Sequence, residues 1–266
     1  MQSRRYKKAS SRIAKRRRAK EILVLILMVG IPVSLVVGLI FISRADFLQI
    51  KDFKVEGAET LSAQNIEDTA LKLIYGKWLF FIPKSNIVFF NKEKLATALL
   101  ANYPRIEKVD VNKQFLDESI GLSLTEREAN FLWCSLRNEC FSMTKNGLVF
   151  ERSGNVGDKI IFRGVLDNNP LMKNFATLQE MQKYLSFVDA LKNAKIIVTE
   201  INIESSDKAV AKTNTGDIIF GPEEVDLSIS AQNAIILINE IKSKNPSAQF
   251  NYIDARFGNK MFYKLL

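Results

Sequence analysis

Cys134 and Cys140 lie in the stretch WCSLRNECF and are the two thiols of this 266-residue chain. In an oxidising exterior they can pair across a tight hairpin, and their nearness favours a disulfide over two free thiols. Two cysteines without a histidine make a poor zinc site. The sequence contains no histidine at all, which removes Ser-His-Asp triads, Cys-His dyads and the HExxH metal motif together. Carboxylates are plentiful, Asp158, Glu223 and Glu224 among them, and two facing a cleft would suffice for glycoside hydrolysis. Nothing in their spacing marks such a pair, and charges on strands and turns ordinarily form a solvated surface. Neither a metal nor a cofactor is expected. A different chemistry is concentrated in the final stretch, NYIDARFGNKMFYKLL, where large apolar and aromatic side chains sit on strand-like sequence with no chain left to cover them. Backbone pairing and aromatic anchors, not bond-making, are what such a segment offers.

The elements that carry these residues read as strands bridged by helices. Phe53 and Val55 alternate with polar residues in a strand ending at Gly57. Ser62 can cap a helix in which Ile66, Ala70, Leu73 and Ile74 recur at helical spacing, with Gly76 ending it. The apolar stretch Trp78-Leu79-Phe80-Phe81-Ile82-Pro83 is expected to plug the core beneath the helices. Asn91 opens a second helix carrying Leu95, Ala98 and Leu99, closed by Pro104. Two strands follow, marked by Ile106, Val109 and Val111 and then by Ile120, Leu122 and Leu124. Beyond residue 129 the pattern is mixed. Asn146-Gly147 makes a hairpin turn, and Leu178, Met181, Leu185, Val188 and Leu191 stripe a helix. Strands in IIVTEINIE, KAVAKTN and DIIFG precede a helix from about Ala231 to Lys242, and NYIDARF and MFYKL close the chain as strands.

In front of all this lie residues 22–43, an apolar run without a charge, preceded by a leader with ten Lys/Arg and one acid, Glu21. At about 1.5 Å per residue the run spans roughly 30 Å, the thickness of the bilayer hydrocarbon. A cleaved signal peptide would have a shorter apolar region and a small-x-small site. The nearest candidate, Ser43-Arg44-Ala45, has arginine in the middle, so an uncleaved anchor is expected. Positive charge holds the N-terminus in the cytoplasm and sends the rest outside, and it attracts anionic lipid headgroups. The chain has 38 basic and 29 acidic residues, and setting the leader aside leaves 28 of each. The excess charge belongs to a short arm, so no basic face for nucleic acid is expected.

Taken in order, these pieces resemble the FtsQ/DivIB family of bacterial cell-division proteins. The carriers are the basic tail and single membrane helix, Val55-Glu56-Gly57, the Tyr103-Pro104-Arg105-Ile106 turn and the Glu126-Arg127-Glu128 strand exit. Near the end, Ile253-Asp254-Ala255-Arg256-Phe257 is similar to the family's Val-Asp-Leu-Arg-aromatic strand, with alanine in place of leucine. A second departure is Phe115-Leu116-Asp117-Glu118-Ser119, which has no proline between the last two strands of the module. The cysteine pair is not a general family feature. The resemblance implies an α+β chain: a basic cytoplasmic tail (1–21), one transmembrane helix (22–42), a POTRA domain of order β-α-α-β-β (47–128) and a β-rich α/β domain (129–266) with an exposed C-terminal edge strand. It further implies a non-catalytic divisome scaffold at the septal plasma membrane that helps control septal peptidoglycan synthesis. The implied partners are FtsB, adding a strand to the C-terminal edge, FtsL as its coiled-coil mate, and other divisome membrane proteins. Arg256, Phe257, Met261, Phe262 and Tyr263 are then the candidates for the docking strand. Two rivals make different demands. A membrane-anchored cell-wall enzyme needs a cleft with converging carboxylates, and a POTRA-bearing secretion or assembly factor ordinarily has several such modules followed by a β-barrel.

Overall fold

The computed structural model describes residues 6–78, 82–154, 157–224, 226–258 and 260–266. Residues 79–81, the centre of the expected core plug, and Arg4 and Arg5 of the basic tail lie outside the described residues. The chain divides into two compact units, Met1–Leu100 with Lys108–Thr125, and Ala101–Glu107 with Glu126–Leu266.

The first unit begins with helix α1 (Tyr6–Ile42), which runs through Pro32. Its segment Lys15–Ile42 is long and apolar enough to cross a membrane, and none of that surface is buried against the protein. A short 3-10 turn (Asp46–Leu48) leads into β1 (Asp52–Glu56). There follow α2 (Ala63–Ile74), the two-residue strands β2 (Lys77–Trp78) and β3 (Ile82–Pro83), α3 (Lys92–Asn102), β4 (Ile106–Gln114) and β5 (Ser119–Glu126). Both helix starts have their expected caps. Ser62 accepts from the Asn65 amide at 3.4 Å and Asn91 from the Lys94 amide at 2.9 Å. The sheet order is β1-β5-β4, with β1 parallel to β5, so that Phe53 lies beside Ile120 and Val55 beside Leu122. Pairing the first strand in parallel with the last requires a crossover, and the two helices supply it. Ile66, Ala70, Leu95, Leu99, Ile120 and Leu122 form the buried interior. Gly57 follows β1 at φ 80°, and a side chain there would collide with the Leu124 carbonyl oxygen. That close approach is the physical content of the Val-x-Gly pattern. The proline-free turn before β5 closes instead through Glu118, at φ 50°.

The second unit is one ten-stranded sheet with two helices. Its strands are β6 (Phe131–Cys134), β7 (Cys140–Met143), β8 (Leu148–Arg152), β9 (Ile161–Arg163), β10 (Lys173–Asn174), β11 (Val198–Ser205), β12 (Lys208–Thr213), β13 (Asp217–Phe220), β14 (Phe250–Phe257) and β15 (Lys260–Leu265). Their spatial order is β10-β8-β7-β6-β9-β11-β12-β13-β14-β15. Helices α4 (Leu178–Asn193) and α5 (Leu227–Lys244) pack on each other and on the sheet. The three-residue β9 joins the two halves, running parallel to both β6 and β11. Phe162 at its centre is fully buried and meets Phe131, Phe175 and Tyr184 edge-on or tilted. On α4 the buried stripe is Met181, Tyr184, Phe187, Val188 and Leu191. Leu178, expected in that stripe, is 54% exposed because it is the first residue of the helix, within the Thr177–Glu180 capping box. Helix α5 starts before Ala231, because Asp226 accepts from the Ser228 amide at 2.9 Å and Leu227 is already buried.

Candidate partner-binding edge

Strand β15 is the outermost strand at one end of the large sheet. Its inner side pairs antiparallel with β14, placing Tyr263 beside Ile253 and Phe262 beside Asp254. Among the described residues no strand pairs with its outer side. Five of its six residues are exposed. β14 is held on its other side by β13, in parallel.

The five residues singled out from the sequence therefore divide. Met261, Phe262 and Tyr263 are on the edge strand, whereas Arg256 and Phe257 are on β14, one strand in from the edge. A single docking strand does not hold them all, because the turn at Gly258, at φ 60°, folds the segment into a hairpin. Met261 packs against the hydrophobic core, so its side chain is a wall of the interior. Tyr263 shares its side of the strand by the period of two and meets Phe250 edge-on at 6.0 Å. Phe262, on the other face, is 55% exposed and stands perpendicular to Phe257 with ring centroids 5.5 Å apart. The Arg256 guanidinium lies 5.2 Å from the Phe257 ring centre and donates twice to Asp254, at 2.9 and 2.8 Å. That bond raises the guanidinium pKa above its ordinary value. The outcome is a fixed patch of two aromatic rings and a paired arginine beside an open backbone edge. Sequence reasoning passed over Leu265, Lys260 and Lys264 on the same strand; the alternation Met261, Tyr263, Leu265 was the available signal.

Cys134 and Cys140 stand opposite each other across the β6–β7 hairpin and are joined by a disulfide. Next to them is a cleft of about 340 Å³ whose lining includes Trp133, Glu139 and Asp167. Glu139 is paired with Arg152 at 2.9 Å and Asp167 with Lys173 at 3.6 Å, the behaviour of surface ion pairs. Asp158 and Glu223 are exposed, and the Glu224 carboxylate accepts from the Ser230 hydroxyl. Among the described residues there is no group of three or more His, Cys, Asp or Glu placed to hold a metal ion.

Residues 48–127 match the model of the POTRA domain, FtsQ-type. The chain carries an FtsQ-type POTRA domain. This agrees with the order β1, α2, α3, β4, β5 that builds the three-stranded sheet and its two helices, and it supports the resemblance to the FtsQ/DivIB family. An uncharacterized protein of Aquifex aeolicus (strain VF5) is 28% identical over 124 residues, which is 46% of this chain and 53% of that protein. The chain thus spans about half the length of that curated relative. An FtsQ-type POTRA domain, a candidate membrane span and a β-rich second unit thus lie together in one chain.

Proposed function

We propose that the chain is a single-pass, non-catalytic divisome scaffold of the plasma membrane that captures an extended partner segment along β15. The open six-residue edge beside the Phe257–Phe262 patch carries this reading. An added strand would satisfy the outward backbone groups of β15, and the exposed rings would supply its anchors. By the family resemblance, FtsB supplies that strand and FtsL joins as its coiled-coil mate. The complex then helps place septal peptidoglycan synthesis, whose chemistry belongs to other divisome proteins. The basic tail lies in the cytoplasm against anionic lipid, and the POTRA domain and the β-rich domain that follow α1 lie outside, at the septum.

The test is a titration of the full chain in detergent with the extracytoplasmic segment of FtsB from the same organism. Phe257→Glu and Tyr263→Glu variants are compared with the wild type, with circular dichroism to confirm folding. Folded variants that lose binding support the reading. A wild type that stays unbound at partner concentrations on the order of tens of micromolar overturns it.

A further inference from the structure

The chain leaves α1 at Ile42 and is immediately tied to the POTRA unit. The buried Asn86 side-chain amide donates to the Ser43 carbonyl at 2.7 Å, and Gln49 donates to the same oxygen at 2.9 Å. Ladder-like bonds follow, from the Ile87 amide to Leu48 at 2.8 Å and from the Ile50 amide to Ser85 at 2.7 Å. Asn86 then uses its side-chain oxygen to accept from the amides of Val88 at 3.0 Å and Phe89 at 3.3 Å. One wholly buried asparagine therefore fixes both the exit of the apolar helix and the backbone of the next loop.

This clamp decides where Val88 and Phe89 can be. The headgroup layer on each side of a bilayer is about 5–7 Å thick. A loop hydrogen-bonded to residues 43 and 48 stays within reach of that layer if the apolar helix fills the hydrocarbon, and its side chains decide whether it enters. Ile87 and Phe90 turn into the unit, whereas Val88 and Phe89 are 51% and 65% exposed, and Phe47 on the exit turn is 62% exposed. Cations surround them. Lys84 and Lys94 line the same apolar cleft as Phe89, about 300 Å³ in volume. Lys113 donates to the Val88 carbonyl at 3.2 Å, and burial, then the charge of Lys92, holds its pKa below the ordinary value. None of these four lysines has a carboxylate partner among the described residues. The acids within the exit turn 43–50 and the stretch 84–94 are Asp46 and Glu93.

We infer that this face of the POTRA unit is an interfacial membrane-binding surface: Val88 and Phe89 immerse in the headgroup–acyl boundary, and Lys84, Lys92, Lys94 and Lys113 bind anionic lipid headgroups of that leaflet. The inference rests on the reading of α1 as a membrane span. Apolar residues ringed by lysines are the composition that holds a surface in this layer. The anchor would then fix the orientation of the unit as well as its position, so the POTRA sheet would meet membrane partners from one side only.

The test uses the full chain in lipid nanodiscs of phosphatidylcholine, alone or mixed with phosphatidylglycerol. A nitroxide is attached at Val88→Cys or, as a span control, at Leu39→Cys, and its accessibility to an aqueous and to an apolar relaxant is read by electron paramagnetic resonance. The control label should be shielded from the aqueous relaxant in both discs. The label at residue 88 should become shielded when phosphatidylglycerol is present, and replacing Lys84, Lys94 and Lys113 by Gln should lower the immersed population by about fivefold per lysine. A control that is shielded with a residue-88 label that stays water-accessible overturns the inference while leaving the span intact. Shielding at residue 88 that ignores both phosphatidylglycerol and the lysines overturns the lipid assignment in favour of a protein cover. A water-accessible control overturns the span and the inference together.

Discussion

The two ends of the large sheet treat the same problem in opposite ways. At one end β10 is two residues long and its Lys173 reaches Asp167, so very little backbone is on offer. Short, charged edges are how β proteins discourage unwanted pairing. At the other end β15 is six residues long and mostly exposed, with Phe262, Tyr263 and Leu265 accessible on it. Its lysines, Lys260 and Lys264, lie near the two ends of the strand and leave its middle to apolar side chains. The fold blunts one edge and leaves the other long and aromatic, and the proposed partner strand rests on that asymmetry. The comparison also shows what β15 depends on. Among the described residues its one strand partner is β14, so its geometry is inherited from β14, β13 and the core behind them.

The largest expected effect follows from that dependence. Phe220 on β13 is fully buried and stacks on Phe187 at 4.4 Å, with Tyr184 edge-on beside it. Phe220→Ala should cost about 3–5 kcal/mol and carry away partner binding with the fold of this half. Urea unfolding followed by tryptophan fluorescence and by partner titration would read both losses. A variant that melts like wild type would mean that the core does not rest on this stack.

The next effect separates the edge from its support. Phe262→Glu changes an exposed side chain, so the unfolding midpoint should barely move. Partner affinity should fall by about thirtyfold or more, the loss of a central aromatic anchor. Lys173→Glu at the opposite edge should leave affinity unchanged. Equal losses from the two variants would erase the distinction between the edges.

Much of this was legible in the sequence, for reasons that differ by region. In the POTRA unit the signals are local: Ser62 and Asn91 cap their helices, Gly57 avoids a collision, and apolar spacing gives the faces. The second unit hides its organisation in long-range pairing. β9 is three residues long and gains its place only from β6 and β11 on either side, contacts that no local pattern announces. Among the site residues, the strand pattern found both β14 and β15 but gave no reason to place Arg256 and Phe257 one strand inside the edge. The clamp at Asn86 was illegible for the same reason, since its partner Ser43 is far away in sequence. Leu178 misled because helical spacing continues into a first turn that the core does not reach.

A moderate effect is expected at the disulfide, which lies in the half of the sheet remote from β15. Cys134→Ser with Cys140→Ser opens a short loop, a change of about 2 kcal/mol by loop-closure entropy. Unfolding should shift to lower temperature while partner affinity at the far edge stays at its wild-type value. Loss of affinity in the folded variant would show that the two ends are coupled through the sheet.

The smallest effect concerns the middle of the sheet, where Glu200 on β11 joins the strands between the two edges. Its carboxylate takes Arg163 of β9 at 3.0 Å and Lys212 of β12 at 2.8 Å, and it is 12% exposed. Burial alone would raise its pKa, but the hydrogen bonds from Lys212 and Arg163 outweigh it and hold the value below the ordinary 4.5. A carboxylate whose folded pKa is depressed binds fewer protons folded than unfolded. Its contribution is therefore complete above the unfolded value and fades as pH falls from about 4.5 through the folded value. Glu200→Gln should cost about 1 kcal/mol at neutral pH, a modest amount because Lys212 is half-exposed to solvent. The variant should also lose less stability than wild type on acidification below that range, so the two unfolding curves converge at low pH. Parallel curves with a constant gap would mean that Glu200 acts through packing, leaving β9 held by Phe162 and its neighbours alone. Convergence would identify an electrostatic tie across β9, β11 and β12, placed where the half that ends in the blunted edge meets the half that ends in the open one.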